Sequence, residues 1–342
     1  MKPSQLSSFL ARAIPARLPI LITGAPGIGK SQIVEQACRA AGADLIVSHP
    51  VVSDPTDIKG LPWPDASNGH ARFLPFGDAH RALTATKLTI WLLDDIGQAS
   101  PMVQASYMQP ILGRNINGVP IPDCLTFIAA TNRRVDRAGV SGILEPVKSR
   151  FAAIVELEAN IDDWTAWAIS ENLPAEVISF LRFKSELLCK FEPTSDLTNS
   201  PLPRTWSHVA KLLALGLPAE VQHAAIAGAV GAGAAVEFAA FLQLFQQLPN
   251  IDAILANPEK APIPTVPAIL YAIVTSLALR ADKATFKNIG RYAERLTDAE
   301  HGEFATLLVL DCVRKDPSLM QTSAFVKLSA GKAGELWTGG RS

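Results

Sequence analysis

The sequence predicts an α/β domain on a mostly parallel sheet, followed by an all-helical half. Three observations point there. Short apolar runs ending in small or polar residues alternate with helical patterns as far as about residue 158. The first run, PILIT at 19–23, passes into a glycine-rich turn and then a helix. Beyond residue 158 helical spacing alone recurs. The boundaries expected are 1–158 for the α/β core, 159–248 for a helical lid and 249–342 for a C-terminal helical extension.

Taken in order, Leu6, Phe9, Leu10, Ala13 and Ile14 predict a short amphipathic helix over about 3–14. After the strand at 19–23 and the glycine turn, Ile33, Val34, Ala37, Cys38 and Ala41 form the apolar face of a second helix. DLIVSHPVV at 44–52 reads as a strand, and 53–76, rich in Pro, Gly and Asp, as loop or hairpin. A helix is expected at 79–86, a strand at 88–93 (LTIWLL) and a helix at 101–112. Asn117-Gly118 favours a tight hairpin turn within 115–122. LTFIAA at 125–130 and residues 153–157 supply two further strands. The second half predicts helices near 162–171, 174–190, 204–215, 218–230, 234–248, 266–281, 284–296 and 299–314, with Pro174, Pro203, Pro218 and Pro267 near their starts. The Pro-containing stretch 250–264 reads as a separator.

The chain has 342 residues, 48% of them hydrophobic, so it can bury a substantial core. Lys and Arg total 31 against 32 Asp and Glu, a net charge of −1. That balance opposes broad electrostatic binding to nucleic acid or an anionic membrane, and leaves room only for a local basic patch. Cys38, Cys124, Cys189 and Cys312 are scattered, which reads as reduced thiols in a cytoplasmic protein. The first residues lack a signal-peptide core, and 224–248 is too rich in Ala and Gly, and too interrupted, for a membrane span. The six histidines show no metal-ligand spacing, so no zinc site is expected.

Gly24-Ala25-Pro26-Gly27-Ile28-Gly29-Lys30-Ser31 fits G-x-x-x-x-G-K-[ST] at every fixed position. Small residues let backbone N–H groups turn inward around phosphate oxygens, and the following helix aims its positive end at the same point. The pattern implies ATP or a related nucleotide with Mg²⁺. Lys30 would reach the β- and γ-phosphates and Ser31 would ligate the metal. The 88–93 strand delivers Asp94 and Asp95 to the edge of a parallel sheet that faces a ligand crevice. Asp94 would hold Mg²⁺ through water, and Asp95 would orient or deprotonate the attacking water. An Asp at a strand end also begins turns, the structural alternative. Asn132 ends another apolar strand, where its amide can bond a γ-phosphate or the attacking water. Arg150 (KSRF) and Arg204 (PLPRTW) have the planar fork that suits developing phosphoryl charge; either alone reads first as a surface ion pair, and their order relative to the other motifs shifts that balance. Arg133, Arg134 and Arg137 form a small basic cluster, for subunit contacts or for nucleic acid.

Together these segments resemble an AAA+ ATPase of the MoxR family over about residues 15–215. Besides the two nucleotide motifs, the likeness includes DPTDIKG at 54–60, FLPFGDA at 73–79, DCLTFIAATN at 123–132, LEPVKSRF at 144–151 and Pro203-Arg204. The resemblance implies strand order 5-1-4-3-2, with Asn132 as sensor 1, Arg150 as an arginine finger acting on a neighbouring subunit's nucleotide, and Arg204 as sensor 2. It also implies a ring, usually hexameric, that hydrolyses ATP to remodel a protein partner, often one with a von Willebrand factor A domain. Two inserts would face the pore: 60–76, carrying Trp63 and Phe73, and a hairpin at about 114–123. For Trp63 and Phe73, local packing is the equal alternative. The usual second acid of this motif is Glu. Asp95 is one methylene shorter, so slow or partner-dependent hydrolysis is expected. A nucleotide-gated scaffold with little hydrolysis and a DNA-directed loader are the rival readings.

Overall fold

A computed structural model describes residues 1–65, 69–136, 142–194, 196–332 and 334. The chain divides into two compact units. One comprises Met1–Asn160 with Phe191–Ser195, the other Ile161–Lys190 with Asp196–Ser342.

In the first unit, α1 (Pro3–Ala13) precedes β1 (Ile20–Gly24), α2 (Lys30–Ala40) and β2 (Asp44–Ser48). The short α3 (Pro55–Lys59) leads into the hairpin β3 (Leu61–Asp65) and β4 (His70–Leu74). Then come α4 (Gly77–Leu83), β5 (Thr89–Leu93), α5 (Pro101–Ser106), a small hairpin of β6 (Asn115–Ile116) and β7 (Val119–Pro120), β8 (Leu125–Asn132), α6 (Glu145–Lys148) and β9 (Ala153–Glu156). β2, β5, β8, β1 and β9 lie side by side in that order, and every pairing is parallel. Counted along the chain without the two hairpins, the sheet reads 5-1-4-3-2 from edge to edge. β5 and β8 are buried along their whole length, as strands covered on both faces require.

The core on one face centres on Trp91, Tyr107 and Phe127. The Trp91 and Phe127 rings stack 5.4 Å apart, and Tyr107 meets Trp91 edge-on at 6.0 Å. Trp91 is polar at one point. Its Nε1 donates to Ser48 Oγ at 2.8 Å, and that hydroxyl donates to Asp78 at 2.6 Å.

The first unit departs from expectation in three places, each for a local reason. The second strand stops at Ser48 rather than Val52, because Pro50 has no N–H to continue a ladder and starts a 3₁₀ turn. The segment 55–59 is helical, with Asp54 accepting from Thr56 N–H at 2.9 Å as its N-cap. The helix expected over 101–112 ends at Ser106 and gives way to a π-helical turn at Gln109–Gly113, since Pro110 cannot donate to the Ser106 carbonyl.

The second unit is helical in α7 (Ile161–Ser170), α8 (Ala175–Phe183), α9 (Pro203–Leu213), α10 (Ala219–Val230), α11 (Ala232–Phe245), α12 (Ile251–Ala256), α13 (Pro267–Leu279), α14 (Phe286–Asp298), α15 (Gly302–Lys315) and α16 (Ser323–Ser329). α8 stops at Phe183, short of the expected 190. α12 occupies part of the stretch expected as a separator, capped by Asn250, whose side chain accepts from Asp252 and Ala253 N–H. Phe180, Trp206, Phe238 and Phe241 pack ring against ring. Arg182 on α8 and Asp311 on α15 form a buried two-point ion pair at 2.5 and 2.9 Å, with Thr275 on α13 also accepting from Arg182. Residues on both sides of position 249 therefore share one unit.

Candidate functional site

The glycine loop joins β1 to α2. Gly29 caps α2 with φ 94° and Gly27 has φ 68°, conformations that an L side chain resists. Gly24 is needed for a different reason. A Cβ there would lie 2.6 Å from Ile28 Cδ1 and 2.7 Å from the Leu157 carbonyl oxygen. The loop therefore sits tight against the end of β9, beside the N-terminal end of α2.

Lys30 is 6% exposed. Its ammonium donates to the carbonyls of Gly24 (3.0 Å) and Ala25 (2.9 Å) and to Asn132 Oδ1 (2.7 Å). The Asn132 contact follows from register, because Gly24 on β1 is paired with Asn132 on β8. The Asn132 amide nitrogen in turn donates to Asp95 Oδ1 at 3.3 Å. Ser31 Oγ donates to Asp94 Oδ2 at 2.8 Å. Asp94 is placed by its own backbone, whose N–H donates to the Ser48 carbonyl at 2.9 Å and extends the β2–β5 ladder. Lys30, Ser31, Asp94, Asp95 and Asn132 thus converge at the C-terminal ends of three adjacent strands, where an open α/β sheet binds its ligand. A hydroxyl and a carboxylate in contact are the hard oxygen donors that suit Mg²⁺, which is commonly held by one or two protein oxygens together with phosphates and water. The donor set fits that ion and the loop fits phosphate.

Asp95 has φ 56° and ψ 34°, in the left-handed region. Asp and Asn tolerate that region better than longer residues do. The chain turns there into a 3₁₀ segment, Ile96–Gln98, that leaves the sheet edge.

Arg150 lies just past α6. Its Nε donates to the Met108 carbonyl at 2.8 Å, and a terminal nitrogen donates to the Pro146 carbonyl. Gln104, a residue outside the sequence motifs, shapes this region. Gln104, 1% exposed, donates to the carbonyls of Ala99 (3.0 Å) and Gly142 (2.9 Å) and accepts from Leu144 N–H (3.0 Å). It ties α5 to the strand-like approach to α6. Nothing in the PMVQAS sequence marks Gln104, because its burial and its partners appear only in the fold. Arg204 is exposed at the second position of α9, in the other unit. Arg133 is held by Asp136 through two bonds (2.8 and 3.0 Å) and by Glu156 at 3.2 Å, which raise its pKa. Arg134 is exposed, and Arg137 lies outside the described residues.

Both expected inserts are hairpins. In the first, Trp63 pairs with Arg72 and Pro62 with Phe73. Trp63 and Phe73 are 57% and 47% exposed, and residues 66–68 of the insert lie outside the described set. Asn117 and Gly118 both have positive φ, as the Asn-Gly turn predicts. The Asn117 side chain donates to the Lys59 carbonyl at the foot of the first hairpin. Among the described residues no helix is long and apolar enough to cross a membrane, and no group of three or more His, Cys, Asp or Glu side chains could hold a metal.

No protein-family model matches the chain, and no curated protein matches it. Among solved structures it is similar to a presumed ATPase from Cytophaga hutchinsonii (18% identity, TM-score 0.33), covering 45% of this chain and 46% of that one. It is also similar to the RuvB Holliday junction branch migration motor of Thermotoga maritima (15% identity, 87% and 86% covered, TM-score 0.40). A third is NtrX of Brucella abortus in complex with ADP (15% identity, 96% and 66% covered, TM-score 0.42). The chain thus spans less than half of the first protein's length and 66% of the third's. The fold described above rests on the strand pairing, not on likeness at this level.

Proposed function

We propose that this chain is an ATPase of AAA+ type with MoxR-like features, which binds ATP with Mg²⁺ and works on a protein partner. The observation that carries the reading is the meeting of Lys30, Ser31, Asp94, Asp95 and Asn132 at neighbouring strand ends, with Lys30 bonded to Asn132 at 2.7 Å and Ser31 to Asp94 at 2.8 Å. The strand order is that of the resemblance, and Asn132 sits on the strand between those of the loop and of Asp94.

In this reading Lys30 exchanges loop carbonyls for phosphate oxygens, and the loop amides orient the same phosphates. Ser31 and Asp94 would hold Mg²⁺. Bound Mg²⁺ supplies neutralisation of phosphate charge. Asp95 accepts the proton of the attacking water while Asn132 fixes the carboxylate, and ADP and phosphate are the products. Arg150 serves a neighbouring subunit's nucleotide in a ring, with Arg204 as the second sensor. Support for a von Willebrand factor A partner comes from the family resemblance, and the exposed Trp63 and Phe73 give such a partner an apolar hairpin to meet.

The left-handed backbone at Asp95 favours a second reading, in which nucleotide binding gates a scaffold and hydrolysis is slow. A mixing experiment tests the shared site. Arg150→Ala and Lys30→Ala should each lose turnover, and mixing them should recover part of it, because a ring then contains intact loops facing intact arginines. Full turnover in Arg150→Ala alone would reject the finger.

A further inference from the structure

At the start of β1 and β8, at the end of the sheet away from the phosphate loop, a cavity of about 270 Å³ is lined by Arg17, Arg114, Asp123 and Thr126 above Ile111 and Phe127. We propose that this cavity binds a small oxyanion, a phosphoryl or carboxylate group, between the two guanidinium groups.

The backbone gives the first reason. Arg17 has φ 56° and Arg114 has φ 53°. A left-handed backbone is strained for a residue with a Cβ, and Gly or Asn is the usual choice where a chain turns that way. Arg at both places leaves the side chain as the reason for the residue.

Anchoring gives the second. Arg17 Nη1 donates to the Asp123 carbonyl at 2.8 Å and Arg114 Nη2 to the Pro122 carbonyl at 2.7 Å. The backbones are fixed too. The Arg17 carbonyl accepts from Thr126 Oγ1 at 2.9 Å, and the Arg114 carbonyl accepts from Ile121 N–H at 2.8 Å. Each guanidinium is thus held through one of its five N–H donors, which leaves the fork available for a planar or tetrahedral oxyanion.

Charge gives the third. Neither arginine forms an ion pair with a carboxylate among the described residues. Burial pushes the half-buried Arg114 guanidinium below its ordinary pKa, and Arg17 pushes the same way against the opposing effect of Asp123. Two cations and one carboxylate share the space, so an anion relieves the repulsion. Five residues of β1 at about 3.3 Å each place this cavity roughly 17 Å from the phosphate loop.

The test titrates inorganic phosphate, and separately propionate, into the full chain carrying Lys30→Ala, at constant ionic strength, followed by calorimetry. Lys30→Ala removes the competing ammonium of the phosphate loop. Saturable binding is expected, weakened at least tenfold by Arg17→Asn or Arg114→Asn, both of which suit a left-handed backbone. Asp123→Asn should tighten binding severalfold without touching either anchor, an effect no purely structural role produces. Tighter phosphate assigns a phosphoryl ligand, and tighter propionate a carboxylate. Absence of saturable binding by both, or affinity unchanged in both arginine variants, would overturn the proposal.

Discussion

The Lys30 ammonium donates to Asn132 Oδ1 at 2.7 Å, across a register that pairs Gly24 with Asn132. A loop lysine and a strand-end amide far apart in sequence are thereby joined, and the same amide holds Asp95 at 3.3 Å. Asn132→Ala should leave nucleotide affinity within a fewfold of wild type and lower turnover by about 10²–10³, the size of effect seen when one preorganised donor is removed. Parallel binding and steady-state assays check this. A large loss of affinity with unchanged turnover would contradict it.

At Asp95 the backbone sets what can replace the side chain. Asp95→Asn should keep the fold and nucleotide binding and lose turnover. Asp95→Glu puts a longer residue at φ 56° and should lower the unfolding temperature by about 2–4 °C, for a strain near 1 kcal/mol in a domain of this size, with no sharp gain in turnover. A thermal melt and an ATPase assay on one preparation decide the matter. A sharp gain would mean that reach, not backbone, limits the site.

In the helical unit, the Arg182–Asp311 side chains are 5% and 0% exposed. Asp311→Ala leaves a buried guanidinium uncompensated and should cost about 3–5 kcal/mol. Replacing both partners with apolar residues of similar volume should cost much less. Denaturant unfolding of the single and double variants measures the difference, and equal losses would contradict this account of the pair.

Burial lifts the Cys38 thiol to about 11, with Glu35 acting in the same direction. The folded state favours the protonated thiol. The stability this contributes is fully present below the ordinary value of 9.0 and is lost as pH rises from there through about 11. Cys38 should resist iodoacetamide at pH 8 in the native protein and react once unfolded, as read by peptide mass spectrometry. Rapid native alkylation at Cys38 would contradict the burial.

What was legible in the sequence was local. The glycine loop, the strand ends at Asp94 and Asn132, and the Asn117-Gly118 turn are each written in consecutive residues whose backbone demands are specific. Long-range relations were not. Arg182 and Asp311 stand 129 positions apart, and nothing in either neighbourhood marks them as partners. Gln104 reads as one polar residue in a helix until its three bonds to the 99 and 142–144 backbone are seen. The interruptions at Pro50 and Pro110 have a cause visible in the sequence, a residue without an N–H, although the apolar periodicity runs on through both. Arg17 and Arg114 lie in ordinary loop sequence, and their shared cavity forms only when the starts of β1 and β8 come together.

The central claim is that Gly24–Ser31 with Asp94 and Asn132 forms a nucleotide site. Fluorescence titration with a labelled ATP analogue and Mg²⁺, comparing wild type with Lys30→Ala, tests it most directly. Saturable binding by wild type that Lys30→Ala abolishes, with both proteins showing the same circular dichroism, is the predicted result. Equal binding by the two proteins, or no binding by wild type, would contradict it.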